Sequence, residues 1–259
     1  MASAAPANDL PLFYNQLEPL SSQTHGSWKA RNMDAPTFMV GTHAVPLTVE
    51  EFAPASRFYP IVFSLGDQPV PLALMALNEG VNTFVGPDGR FTGDAYIPAY
   101  IRRYPFMLAR LNQNAEELSL CFDPSSGTIG EFEEGDALFA DGKPTEVVGN
   151  ILAFCEQFEQ AGQRTSQFMK ELADHKLLMD GEVTIQPEGA DQPFIYRGFQ
   201  MVNEDALKEM RGDTARKLIK SGVLPLIYAH LFSLALIRDI FARQMEQGKI
   251  PAQPLRVDA

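Results

Sequence analysis

The sequence predicts an α+β fold, a mainly antiparallel sheet covered by helices, and three observations carry that prediction. Short apolar runs rich in strand formers, separated by Gly, Pro and Asn turn signals, occupy most of the chain up to Gly130. From Thr145 the apolar spacing lengthens to a helical period. Two further β-type runs then precede a helical end, so strands and helices are grouped rather than alternating as in βαβ units.

In chain order, the first 35 residues are rich in Ala, Pro, Ser, Gln and Asn and lack sustained periodicity. They read as an extended arm, 1–35, pinned by Phe13, Tyr14 and Trp28 against a single α+β domain spanning 36–259. In "TVEEFAPASRF" Thr48 is placed to cap a short helix, with Glu50 and Glu51 in its first turn. "YPIVFSLG", "PVPLALMALNEG", "NTFVGPDGRFT" and "ELSLCFD" read as strands, and "GEFEEGDALFADGKP" as an acidic excursion. "RFYPIVF" and "RRYPFML" reuse one device: an Arg one residue before Tyr-Pro. The residue before a proline is pushed out of the α region, so each Tyr-Pro should end a short helix and start an extended segment.

Val148, Ile151, Leu152, Cys155 and Phe158 share one helical face, resumed by Phe168 and Leu172 after Gly162. This predicts one interrupted helix or two. "DGEVTIQPEG" and "PFIYRGFQMV" return to strand patterning with turns at both ends. "NEDALKEMR" and residues 213–247 are helical, with Gly212 between them and Pro225 starting or kinking the second half.

Composition bounds the function classes. The chain has 259 residues, 45% of them hydrophobic, with 18 Phe and 7 Tyr, enough large apolar surface for a sizeable core. A formal charge of -12 disfavours nucleic acid and electrostatic docking on anionic lipid. Cys121 and Cys155 have neither a disulfide framework nor metal-ligand spacing and are expected in the core. "MASAAPANDLPLF" shows no secretory signal pattern, which makes a cytoplasmic location the expectation. Residues 223–237 are the most apolar stretch; they include Pro225 and His230 and fall short of the roughly 20 residues a membrane span needs. A buried core helix is expected there, and no membrane span.

Phosphate-loop, dinucleotide, zinc-protease and nucleophile-elbow patterns are absent from the sequence. His230 and Ser233 share a helix face, which fits a Ser–His dyad but fits better a polar pair bonded to neighbouring backbone. The acidic run Glu131, Glu133, Glu134 and Asp136 lacks the ligand pattern of a calcium loop, so a solvated loop is expected, with no metal and no cofactor.

The richest candidate site is "YIPAYIRRYPFML". With Pro98 in the first turn, a short helix would run to Arg103, placing Tyr100 and Tyr104 along one face and Tyr96 just before it. Tyrosines combine apolar area with a hydroxyl, and the arginine fork suits a carboxylate- or phosphate-bearing ligand or a peptide. The same residues also fit a structural role, each Arg pairing with an acid or covering the aromatics with its stem. Arg102 and Arg103 point about 100° apart on a helix, so one is expected to turn inward and the other outward. The candidate ligand-binding residues are therefore Tyr96, Tyr100, Arg102, Arg103, Tyr104 and His230; none is assigned as catalytic.

"YPIVF" after the "EEF" helix, "YIPAYIRRYPF", "LFADGKPT", "YRGFQMVNEDAL" and "YAHLFSL" occur in that order, and together they resemble the SapC family of bacterial proteins. The resemblance runs from Phe38 to Phe241. It implies association with bacterial surface-layer systems and supplies no catalytic residues to carry over. Two readings follow. One is a non-enzymatic binding or accessory protein of a surface-layer, export or envelope-transport system. The other is an enzyme, or an enzyme's partner, acting on a small acid or peptide through the Tyr/Arg segment. Expected partners are a small acid, a peptide or an envelope or surface-layer protein, with a homo-oligomer also open.

Overall fold

The computed structural model describes residues 10–33, 35–111, 117–187 and 192–249; positions 1–9 of the expected arm and the turn expected at 188–189 lie outside the described residues. The first half contains β1 (Glu18–Pro19), β2 (Lys29–Ala30), β3 (Ala44–Pro46), α1 (Phe52–Ala55), β4 (Ile61–Phe63), β5 (Pro71–Leu74), α2 (Ala99–Arg103), β6 (Phe106–Ala109) and β7 (Ser119–Phe122). Next come β8 (Ile129–Gly130), β9 (Asp136–Ala137), β10 (Phe139–Ala140), β11 (Lys143–Pro144) and α3 (Glu146–Asp174). The last third holds β12 (Leu178–Asp180), β13 (Val183–Ile185), β14 (Phe194–Tyr196), β15 (Gln200–Val202), α4 (Glu204–Lys208), α5 (Gly212–Ser221), α6 (Val223–Ser233) and α7 (Ile237–Glu246). Strand pairs among the described residues are antiparallel, and the fold is α+β as the sequence predicts.

The chain divides into two compact units, Met1–Asp34 with Ile101–Glu159, and Ala35–Tyr100 with Gln160–Ala259. In the first, β1 lines up on the edge of β7, and β7 on β6. β2 pairs with both β8 and β9. The segment read as a pinned arm thus also donates strands to two sheets. The pinning residues are those expected: the Tyr14 hydroxyl donates to the Phe106 carbonyl at 2.7 Å, and the Trp28 ring meets Phe122 edge-on at 6.0 Å. Phe106, Leu108, Phe122, Ile129, Leu138, Val148 and Cys155 form the core. Both cysteines are free and buried, and burial pushes the Cys155 thiol up to about 11.

The second unit is built on a five-stranded sheet of order β12-β15-β4-β5-β3. Ile61, Val62 and Phe63 of β4 are all fully buried, which is why this strand reads as a continuous apolar run rather than an alternation. Both Tyr-Pro devices act as expected: helix α1 and the turns after it end before β4, and helix α2 ends before β6. Gly162 does not interrupt α3, which is one helix of 29 residues.

"NTFVGPDGRFT" departs from the expected strand and keeps only a single bridge, Val85 to Phe91. The side chain of Asn82 takes over the backbone bonding. It donates to the Met39 and Thr42 carbonyls at 2.9 and 3.0 Å and accepts from Phe84 N–H at 2.8 Å. Side-chain bonds of this kind offer the backbone an alternative to a ladder.

The apolar stretch 223–237 is not one buried helix. It comprises α6, a 3₁₀ turn at Leu234–Leu236 and the start of α7. Val223–Glu246 together is long and apolar enough to cross a membrane by length and composition alone. Val223, Ile227, His230, Ser233 and Ile237 turn inward, whereas Tyr228 and Phe232 face solvent, the latter 74% exposed. One helix face is thus covered by the unit, and the opposite face is equally uncharged but bare.

Candidate functional site

The Tyr/Arg segment is organised by a carboxylate that the sequence placed only in a first helical turn. Glu51 is 4% exposed. Its Oε2 accepts from Thr48 N–H at 3.0 Å and Thr48 Oγ1 at 2.9 Å, completing a capping box at the 3₁₀ turn Val49–Glu51. Its Oε1 accepts from the Tyr96 hydroxyl at 3.0 Å and from Ala99 N–H, the first residue of α2, at 2.6 Å. Among the described residues, one buried carboxylate therefore caps two helix starts with four hydrogen bonds and no cation in its bonding. The Tyr59 hydroxyl donates to the Tyr96 carbonyl at 2.7 Å, and burial raises its pKa. Pro98 stands just ahead of α2, and Tyr100 is buried within it.

Arg102 and Arg103 divide as their positions on a helix require. Arg102 is exposed, with its guanidinium 5.2 Å from the Phe154 ring centre. Arg103 is 5% exposed, lies 4.2 Å from the Phe158 ring and 5.7 Å from the Tyr14 ring, and pairs with Glu159 at 3.4 Å. Desolvation strengthens such cation–π contacts. Tyr104 meets the Tyr14 ring edge-on at 5.2 Å. Burial first, then the nearby Asp123 carboxylate, push its phenol up to about 12. Asp123 is itself fully buried and accepts from Asn15 N–H at 2.7 Å and from Ser125 N–H and Oγ at 2.8 and 2.7 Å.

His230 belongs to a different arrangement. Phe63 of β4 pairs with Gln200 of β15, so two positions further along the ladder Ile61 would face Val202. The imidazole stands in that place. Val202 N–H donates to Nε2 at 3.0 Å, which puts the ring proton on Nδ1, and Nδ1 donates to the Ile61 carbonyl at 2.8 Å. Ser233 Oγ accepts from Ile61 N–H at 2.8 Å and donates to the His230 carbonyl at 2.6 Å. The ring also stacks on Phe63 at 4.6 Å. Burial depresses its pKa to about 4, so it is neutral at physiological pH. Both nitrogens serve the sheet, which fits the polar-pair reading over the dyad.

A cavity outside the expected site residues lies in the second unit. It measures about 120 Å³ and is lined from the sheet by Val62, Leu72 and Leu74, and otherwise by residues including Tyr196, Phe199 and Ile237. The Phe199 ring lies over Gly181, where a Cβ would collide with it, and Gly181 N–H donates to the Phe199 carbonyl at 2.8 Å. The Tyr196 hydroxyl oxygen is buried with no hydrogen-bond partner, and burial pushes its pKa up to about 12. "YRGF" carries a hint of this in its Tyr, Arg and turn glycine, but the cavity needs walls supplied by β3, β4 and β5. Among the described residues no group of three or more His, Cys, Asp or Glu side chains is placed to hold a metal ion.

The SapC family model matches residues 20–240 of this chain. Neither the curated proteins nor the solved structures contain a match.

Proposed function

The chain belongs to the SapC family, and from that premise we propose that it is a non-enzymatic binding or accessory protein of a bacterial surface-layer, export or envelope-transport system. The observation that carries this reading is the bare face of α6. Tyr228 and Phe232 project from an ordered helix with ring centres 5.7 Å apart, and the run from Gly222 to Ile237 holds no Asp, Glu, Lys or Arg. The preceding helix α5 presents exposed Arg216, Lys217 and Lys220. An aromatic centre with a charged surround matches the anatomy of a protein-docking surface, and envelope proteins are the partners the family association favours. The alternative, action on a small acid or peptide through the Tyr/Arg segment, has less support, because the Tyr96 hydroxyl and Arg103 are engaged within the protein.

A photo-crosslinking residue at position 232, used in the native bacterium, tests the reading. Adducts with a surface-layer, export or other envelope protein, lost when Tyr228 is changed to Asp, are the expected result. Cross-links confined to cytosolic proteins of unrelated function would overturn it.

A further inference from the structure

Taking α6 as a docking surface, the reading on which this inference rests, we propose that the exposed face of α5 and α6 docks an acidic amphipathic helix of the partner protein. The apolar stripe of that helix lies on the α6 aromatics, and its Asp and Glu side chains meet the α5 cations.

The segregation of charge selects an acidic partner. The chain holds 33 Asp and Glu and a net charge of -12, yet residues 214–238 contain neither, against four cations, Arg216, Lys217, Lys220 and Arg238. Spread evenly, the acidic residues would put about three in a run of that length. Arg216, Lys217 and Lys220 are exposed and make no ion pair among the described residues. Elsewhere in the same unit exposed cations are answered: Lys170, Lys208, Arg197 and Arg211 meet carboxylates at 2.6, 3.2, 2.6 and 3.3 Å. Arg216 and Lys220 stand one turn apart, where like charges repel, and with Lys217 they line an open depression on α5. Asp213, which also lines it, is engaged by Arg211. A cluster of cations left unanswered in so acidic a chain is complementary to a partner of opposite sign.

The apolar part has a helical period. Pro225, Tyr228 and Phe232 are exposed at spacings of three and four along α6, and Ile219, 59% exposed, adjoins Lys220 on α5. Such spacing forms a ridge against which a second helix packs, and helix recognition uses anchors at these intervals. Neither element is a strand, so no sheet edge is offered to an extended peptide. A bilayer also takes aromatics flanked by cations, but as a plane it would set the acidic remainder of the chain against lipid phosphate.

Two stapled helical peptides of about 18 residues test the site on the full-length protein by fluorescence anisotropy. One carries a leucine stripe flanked by Glu; the other is identical but has Lys in place of Glu. Binding at this face is the part lost in Phe232→Ser. In that part the Glu peptide should bind at least about tenfold more tightly than the Lys peptide and should weaken as salt rises. Net charge alone predicts the opposite order, since -12 attracts the Lys peptide. Arg216→Glu with Lys220→Glu should weaken the Glu peptide by about tenfold. Melts check that these exposed variants are folded, and the two peptides on the unaltered protein decide the matter if they are not. Flotation with phosphatidylglycerol–phosphatidylethanolamine vesicles should leave the protein unbound. No saturable binding of the Glu peptide, equal Phe232-dependent binding of both peptides, or indifference to the α5 reversal would each overturn the proposal. Vesicle binding lost in Phe232→Ser would overturn it in favour of lipid. Adducts at position 232 with envelope proteins that persist undiminished in the Arg216→Glu, Lys220→Glu strain would sink the acidic partner alone, whereas their absence in the unreversed strain would sink the docking reading itself.

Discussion

Tyr96 and Tyr196 are both half-buried tyrosines in the same unit, and their hydroxyls meet opposite fates. The Tyr96 hydroxyl donates to Glu51, a carboxylate that also holds Thr48 and the first N–H of α2. The Tyr196 hydroxyl is buried with no such partner among the described residues. The segment around Tyr96 is the more conspicuous in sequence, with its tyrosines, arginines and prolines. Yet its polar groups are tied into helix caps and an aromatic cage. A dense run of Tyr and Arg can therefore mark a structural joint, and how conspicuous a residue is in sequence does not say whether its polar atom finds a partner in the fold.

Four expected outcomes break or sharpen that contrast. The largest concerns Glu51→Ala, which would strand four donors, two of them backbone N–H groups at helix starts. A loss of about 4 kcal/mol in unfolding free energy is expected, measured by urea titration. A loss below about 1 kcal/mol would mean that water replaces the carboxylate easily and that the node is not a joint.

Next is pH. The unfolded imidazole takes a proton near its ordinary value of 6.5, while folded His230 resists until about 4. Stability from this residue is complete above pH 6.5 and falls as pH drops toward 4, by roughly 3 kcal/mol. His230→Gln should be less stable at pH 7 but should lack this part of the acid loss. Parallel stability–pH curves for the two proteins would refute the bridging role.

The arginine pair comes third. Arg103→Ala should cost about 2–3 kcal/mol, through lost cation–π contact, lost packing of its stem and a Glu159 left without its partner. Arg102→Ala should stay within about 0.5 kcal/mol, as for an exposed substitution. Equal thermal shifts in the two variants would contradict the division seen in α2.

The smallest effect is the most direct comparison. Tyr96→Phe should lose about 1–2 kcal/mol, the worth of a hydrogen bond to a buried carboxylate. Tyr196→Phe should be neutral or stabilising by about 1 kcal/mol, because it removes an unpaired hydroxyl. Calorimetric melts of both proteins give the difference, and a destabilised Tyr196→Phe would show that its hydroxyl has a protein partner after all.

Sequence by itself determined the features that depend on neighbours along the chain. Periodicity marked α3 and the helical end; proline geometry marked the helix-to-strand switches before β4 and β6; helix geometry required Arg102 and Arg103 to part. It also supplied Thr48 as a cap and the family resemblance. Tertiary structure decided what depends on distant partners. Glu51 acquires its second role from Ala99, 48 positions away, and His230 its role from Ile61, 169 positions away. The early residues became strands because β7, β8 and β9 offer them unpaired edges, and a strand's edge is visible only once its sheet exists. The cavity has the same origin: a void is defined by the walls that surround it, and the chain brings those walls together from β3, β4, β5, the Tyr196–Phe199 turn and the start of α7 only on folding.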